Sequence, residues 1–362
     1  MTFPRPEAGQ SILNLSTPLP LIDEDRLQAN IARVQSYMEG HNLAFRPHIK
    51  THKIPALAQQ QVAAGAKGIN CQKITEAEVF ADAGFQDILI TFNILGPEKL
   101  VRLEQLNERI SDLKVVADSA VTVAGLAAYF SGKIPLKVLV ECDTGAGRCG
   151  AQNPADAVAL AKLIWASNSL TFGGIMTYPK AHSEAKVEAF FAETLASLKH
   201  LDIPCPMVSN GGTPSLFSAH LVPSATEHRA GTYIYSDRAM AHAGHGTLDD
   251  CAMHILATVV SRPTPDRAII DAGSKALTSD LLGFSDYGVI TEYPEAIITG
   301  LSEEHGTVDL SKVAGPRPEI GDKVRIIPNH ACVVSNLFEF ITFHRDGVVT
   351  RVETVAARGL VW

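Results

Sequence analysis

Five side chains that can carry positive charge fall within eight residues in the segment Arg46-Pro47-His48-Ile49-Lys50-Thr51-His52-Lys53. The chain as a whole is acidic, with a formal net charge of −8, so the cluster invites a chemical reading. Neighbouring cations and burial lower the pKa of a lysine and prepare its amine to form a Schiff base. A solvated basic loop that binds an anion is the plainer reading, and both stay open. His330-Ala331-Cys332 is a second candidate. In an extended chain residues two apart share a face, so imidazole and thiolate can converge on one metal ion. Two protein ligands suit an open site completed by water and substrate. The alternative is one polar and one buried side chain on an ordinary strand.

Three glycine-bearing loops add to the list. Ser209-Asn210-Gly211-Gly212-Thr213-Pro214-Ser215 brings backbone amides close to whatever lies before them, and Thr213 or Ser215 can start a helix whose N-terminus favours an anion. Gly231-Thr232-Tyr233 is a second turn of this kind. Each is either an ordinary tight turn or part of a phosphate cradle. Gly145-Ala146-Gly147-Arg148-Cys149-Gly150 has the spacing G-x-G-x-x-G. Pro154 delays the following helix and no acidic residue closes a second strand about 20 residues on, so a dinucleotide site is rejected and Arg148 is kept as a side chain aimed at the mouth of the barrel expected below. The cluster His242, His245, Asp249, Asp250, Cys251 and His254 is read as structural.

These residues need elements to position them. Short Val- and Ile-rich runs at 43–46, 68–71, 88–91, 114–117, 137–141, 171–177, 206–209 and 227–230 read as strands. Helical patterns lie between most of them, as at 76–83, 97–106, 154–165 and 185–198. Leu27, Ile31, Val34 and Met38 form one helical face, with an acidic start at Asp23-Glu24-Asp25 and Gly40 at the stop. Eight βα units predict an α/β fold, a (β/α)8 TIM-type barrel over 21–246; an open doubly wound sheet is the rival. The basic segment then follows the first barrel strand and SNGGTPS the seventh, at the end where barrel sites lie. Beyond 246 the pattern changes to strands without long helices, at 255–260, 268–271, 289–291 and 324–327, then a hairpin 341–344/348–354 around Asp346-Gly347. A C-terminal β domain over 247–362 is expected, with residues 1–20, including a ninth strand near 19–22, as a candidate completion.

Composition sets outer limits. The 362 residues are 46% apolar and 19% charged, with mean hydropathy +0.09 and pI near 5.9. That balance suits a packed core and argues against nucleic-acid or membrane partners. The N-terminus does not read as a secretory signal, and six cysteines read as thiols, so a cytoplasmic location is expected.

In order along the chain, RPHIKTHK, Cys71-Gln72-Lys73 with Glu76 and Glu78, GAGRCG, SNGGTPS, AGTY, PNHAC and the ending AARG resemble the D-threonine aldolase / D-serine dehydratase family. These are pyridoxal phosphate (PLP) enzymes of the alanine racemase fold type, and the resemblance covers nearly the whole chain. It implies a PLP-binding barrel with a C-terminal β domain, usually as a homodimer. It implies that Lys50 is the Schiff-base lysine, that Gln72 and Arg148 lie near the cofactor's phenolic oxygen, and that Tyr178 faces the pyridine nitrogen. Ser209, Gly211, Gly212, Thr213, Gly231 and Tyr233 match the phosphate cup. His330 and Cys332 match the pair that binds a divalent metal, Zn2+ or Mn2+, and Glu303 and Glu304 look like acidic residues near that metal.

The implied substrate is a D-3-hydroxy amino acid. PLP is the electron sink, and a Lewis acid acts on the substrate's β-hydroxyl. Loss of the hydroxyl proton leads to Cα–Cβ cleavage, giving glycine and an aldehyde, with His182 as the candidate base. Loss of the Cα proton to a base such as Lys50 leads instead to elimination, giving a 2-oxo acid and ammonia. CQK, GAGRCG, Asn336-Leu337 and AARG look more like D-threonine aldolases, whereas Cys332 resembles the dehydratases. D-threonine aldolase is the expected activity. D-serine or D-threo-3-hydroxyaspartate dehydration and amino-acid racemisation are the alternatives.

Overall fold

The computed structural model describes residues 5–362. Residues 1–4, part of the segment expected to complete the β domain, lie outside the described residues. The chain forms two compact units, each discontinuous in sequence. One comprises Val34–Lys50, Pro55–Gly231 and Leu360–Trp362; the other runs up to Arg33 and adds Thr51–Ile54 and Thr232–Gly359. No helix among the described residues is long and apolar enough to cross a membrane.

With β1 at Leu19–Asp23 in the second unit, the first unit holds β2 (Ala44–Phe45), β3 (Ile69–Cys71), β4 (Asp87–Asn93), β5 (Asp112–Ala117), β6 (Leu136–Cys142), β7 (Leu170–Thr177), β8 (Val208–Asn210) and β9 (Glu227–His228). All eight expected runs are strands, and every paired neighbour is parallel, in the order β2-β9-β8-β7-β6-β5-β4-β3. The ends of this sheet meet. Lys67 N donates to Phe45 O at 2.7 Å, Asn70 N donates to Pro47 O at 2.9 Å, and His48 bridges Asn70 in parallel. The sheet is therefore a closed (β/α)8 barrel, not the open rival. Its strands read as short apolar runs because helices cover a parallel sheet. The helix Pro154–Trp165 starts where Asn153 accepts a hydrogen bond from Asp156 N, so the GAGRCG segment is loop and not a helix start.

The helix Glu24–Gly40 buries Leu27, Ile31, Val34 and Met38, as their spacing predicts. Asp23 caps it, its Oδ1 accepting from Asp25 N and Arg26 N at 3.1 Å each.

The second unit is a nine-stranded sheet. To β1 it adds β10 (Met253–Thr264), β11 (Arg267–Ile270), β12 (Val289–Ile290), β13 (Ile297–Leu301), β14 (Gly306–Asp309), β15 (Lys323–Ile327), β16 (Phe340–Arg345) and β17 (Val348–Thr354). The ninth expected strand, β1, lies between β10 and β16, antiparallel to the first and parallel to the second. Ile12, Leu15, Leu19, Leu21, Leu256 and Val349 form its apolar cluster. The β16–β17 hairpin turns on Asp346 and Gly347, both with positive φ, as the Asp-Gly pair predicts. The hairpin β13–β14 has no counterpart in the expected elements. One correction concerns chemistry: His330-Ala331-Cys332 is not extended. His330 is the N-cap of a helix over Ala331–Leu337, and Cys332 sits in its first turn.

Candidate active site

In the barrel unit the cations of the basic segment are parcelled out. Arg46 is buried and reaches Glu227 at 3.0 Å and Asp87 at 2.6 Å, an ion pair inside the barrel wall. His48 Nδ1 accepts from Lys50 N at 3.4 Å, and its Nε2 lies 3.1 Å from Gln72 Oε1. Gln72 Nε2 donates to Thr91 O at 3.0 Å, so Gln72 Oε1 is the acceptor and His48 Nε2 carries the proton. Desolvation and the Lys50 charge push the His48 imidazole well below its ordinary pKa, so the ring is neutral. Lys50 itself lies half-buried on a single turn of 3-10 helix, Ile49–Thr51, after β2. Among the described residues its ammonium makes no hydrogen bond or ion pair.

The ends of β6 to β9 carry the rest. Arg148 lies 4.7 Å from the centre of the Tyr178 ring and 3.6 Å from Glu141 Oε1. Tyr178 follows β7 and presses on the glycine loop: a Cβ on Gly212 would lie 2.5 Å from its Cε2. At Gly211 φ is +111°, and a Cβ would lie 2.2 Å from the His228 ring. Only glycines leave this backbone where it is. Ser209 Oγ donates to Glu227 at 2.5 Å and accepts from Arg229 at 2.6 Å. Arg229, fully buried, also donates to Thr177 O at 2.7 Å and Gly211 O at 3.4 Å. Burial brings its pKa down to about 10. Thr213 opens the 3-10 helix Thr213–Leu221, and the buried Asn210 Oδ1 has no hydrogen-bond partner among the described residues. Such a loop can hold an anion on its backbone. Gly231 ends this unit. His182 is exposed on the loop after Tyr178, with φ +57°.

In the second unit the Cys332 sulfur lies 3.1 Å from Thr51 Oγ1 and 3.3 Å from Thr232 Oγ1. The His330 Nδ1 lies 2.6 Å from Asp280 Oδ2. Burial works against charge on both groups. Cys332 and Asp280 nonetheless push His330 up to about 9, and His330 draws the Cys332 thiol below its ordinary value. Buried Asp237 accepts from Ala331 N at 3.0 Å and fixes the start of the helix. His330 and Cys332 thus share a helix start rather than one face of a strand. No group of three or more His, Cys, Asp or Glu side chains among the described residues is arranged to hold a metal, so a site here would be open. Tyr233 is buried in the turn Thr232–Ile234. Glu303 and Glu304 do not meet His330; they lie exposed between β13 and β14 and pair with Lys275 at 3.1 and 2.7 Å.

Sequence reasoning missed Thr51, Thr232, Glu141, Arg229 and Asp280. The two threonines directly follow Lys50 and Gly231, a signal that could have been used.

Comparison with known proteins places the chain. The profile of the alanine racemase N-terminal domain matches residues 22–239, and that of a putative serine dehydratase domain matches 252–344. D-threonine aldolase of Arthrobacter sp is 33% identical, covering 98% of this chain and 96% of its own. The crystal structure of D-threonine aldolase from Filomicrobium marinum superposes with a TM-score of 0.90 at 30% identity, over 99% of this chain and 100% of that one. A cysteine-to-alanine mutant of D-threo-3-hydroxyaspartate dehydratase, solved in a metal-free form, superposes with a TM-score of 0.88 at 31% identity, over 98% and 100%. The chain belongs to the D-threonine aldolase / D-serine dehydratase family, PLP-dependent lyases with the alanine racemase fold.

Proposed function

We propose that this chain is a D-threonine aldolase, cleaving D-threonine to glycine and acetaldehyde with PLP on Lys50 and a divalent metal on His330 and Cys332. The observation that carries the two-group reading is the pairing of a thiol drawn down in pKa with an imidazole whose other nitrogen is held by a carboxylate. That donor set suits a divalent ion such as Zn2+. The residues also fit PLP: a lysine with an unengaged amine, a glycine loop whose backbone a Cβ would displace, and a buried Asn210 oxygen without a partner. Bound there, PLP supplies an electron sink and the metal a Lewis acid.

The chain's own groups divide the remaining work. Neutral His48 holds Gln72, and Arg148 lies over the Tyr178 ring; these residues would border the cofactor when it is bound. Tyr178 would face the pyridine nitrogen, where a tyrosine would be a weaker partner than a carboxylate. The 209–213 loop with Gly231 and Tyr233 holds the phosphate. His182 takes the substrate's hydroxyl proton. The two threonines beside the Cys332 sulfur, Thr51 and Thr232, directly follow Lys50 and Gly231 in the chain.

Cys332 favours a second reading, elimination from a D-3-hydroxy amino acid with Lys50 taking the Cα proton. Product analysis with D-threonine decides between them. Glycine and acetaldehyde in equal amounts are expected; 2-oxobutanoate and ammonia would replace the aldolase by the dehydratase. D-alanine produced from L-alanine in the presence of a chelator would point to a racemase.

A further inference from the structure

We infer that Asp280 is a positioning residue for the metal pair: it holds a proton on Nδ1 of His330 and fixes the ring, leaving Nε2 as the nitrogen that would bind the ion. The inference rests on the reading of His330 and Cys332 as metal ligands and adds a residue that reading does not require.

Asp280 Oδ2 lies 2.6 Å from His330 Nδ1 across 50 residues of sequence. The carboxylate can only accept, so Nδ1 carries a proton and Nε2 is the nitrogen left for a cation to take. A carboxylate on the distal nitrogen also makes the ligating nitrogen a better donor to a cation.

The local backbone holds Asp280 for this contact. The short helix Ser274–Leu277 ends at Thr278, whose φ is +66°. A buried β-branched residue rarely adopts that conformation. Thr278 Oγ1 accepts from Asp280 N at 2.8 Å, tying the strained residue to the backbone of Asp280 two positions on. From the other side Asp237 clamps Ala331 N. His330 is therefore fixed at its ring by one carboxylate and next to its backbone by another. A loop that merely needed an ion pair to close would not need the imidazole in one tautomer, and this is the distinction to test.

PLP-loaded enzyme stripped of metal by a chelator is titrated with Co2+, the sulfur-to-cobalt charge-transfer absorption reporting the Cys332 bond, and with Zn2+ by calorimetry. Asp280→Ala should weaken both metals about 10–100-fold. Asp280→Asn still offers an acceptor to Nδ1 but no charge. It should lose less, and it keeps the comparison open if the alanine variant fails to fold. The visible absorption of the cofactor should not change in either. Parent-like affinity in both Asp280 variants, with the charge-transfer band lost in Cys332→Ala, would overturn the role of Asp280 and leave the metal reading intact. Parent-like binding in both His330→Ala and Cys332→Ala would remove the metal reading, and Asp280's role with it.

Discussion

Lys50 is set apart by the engagements of its neighbours. Arg46 is held by Glu227 and Asp87, His48 by Gln72, and Lys53 donates to Ala357 O at 3.3 Å. The density of cations drew attention to the segment, yet the structure uses most of them as fixtures. The same scale holds the metal pair. Because Cys332 and His330 lie in the second unit and the glycine loop in the first, replacing either by Ala should lower turnover by roughly two orders of magnitude or more while PLP stays bound. Activity and visible absorption measured on one sample check this, and loss of both together would make the pair structural. Asp280, Glu141 and Arg229 were not legible in the sequence. Each gains its meaning from a partner brought near only by folding, as with the 50 residues between Asp280 and His330.

At the scale of elements, the glycine loop carries the sharpest constraint. Gly212→Ala would drive a methyl group to within 2.5 Å of the Tyr178 ring. The loop or the ring must then shift, and PLP affinity should fall about 10-fold or more with far-UV circular dichroism unchanged; equilibrium dialysis against PLP reads it. The sheet of the second unit makes a different prediction. His254, on β10, is buried, with its pKa pushed down to about 3 by desolvation and then by Arg26 and Arg325. The unfolded ring binds a proton below about pH 6.5 and the folded ring does not. His254 therefore leaves stability unchanged above that pH and removes it as pH falls, by up to about 1.4 kcal/mol per pH unit. His254→Gln should flatten the loss of the urea midpoint between pH 7 and pH 5, and an unchanged slope would contradict the burial argument.

The barrel was legible because parallel strands covered by helices are short apolar runs with amphipathic segments between them. The β13–β14 hairpin was not: Gly300 interrupts one strand and the other spans only Gly306–Asp309. The wrong geometry at His330 has a local cause. The sequence shows a strand ending at Ile327, but not that Asp237 accepts from Ala331 N and turns the chain into a helix.

For the whole molecule, resemblance of motifs in order, two family profiles and full-length structural superposition converge on one family. What separates its members is the fate of one substrate bond, and the side chains assigned to that choice fall in two groups. Lys50, Arg148, Tyr178 and the 209–213 loop belong to the barrel unit; Thr51, Thr232, His330 and Cys332 belong to the other. The account makes Lys50 the residue that carries the cofactor. The most direct test is to reduce the PLP-loaded enzyme with borohydride, digest it and map the added pyridoxyl mass. The account predicts that mass on the peptide containing Lys50, with neither label nor visible absorption in Lys50→Ala. Label on another lysine, or a Lys50→Ala enzyme that keeps its absorption and its activity, would contradict it.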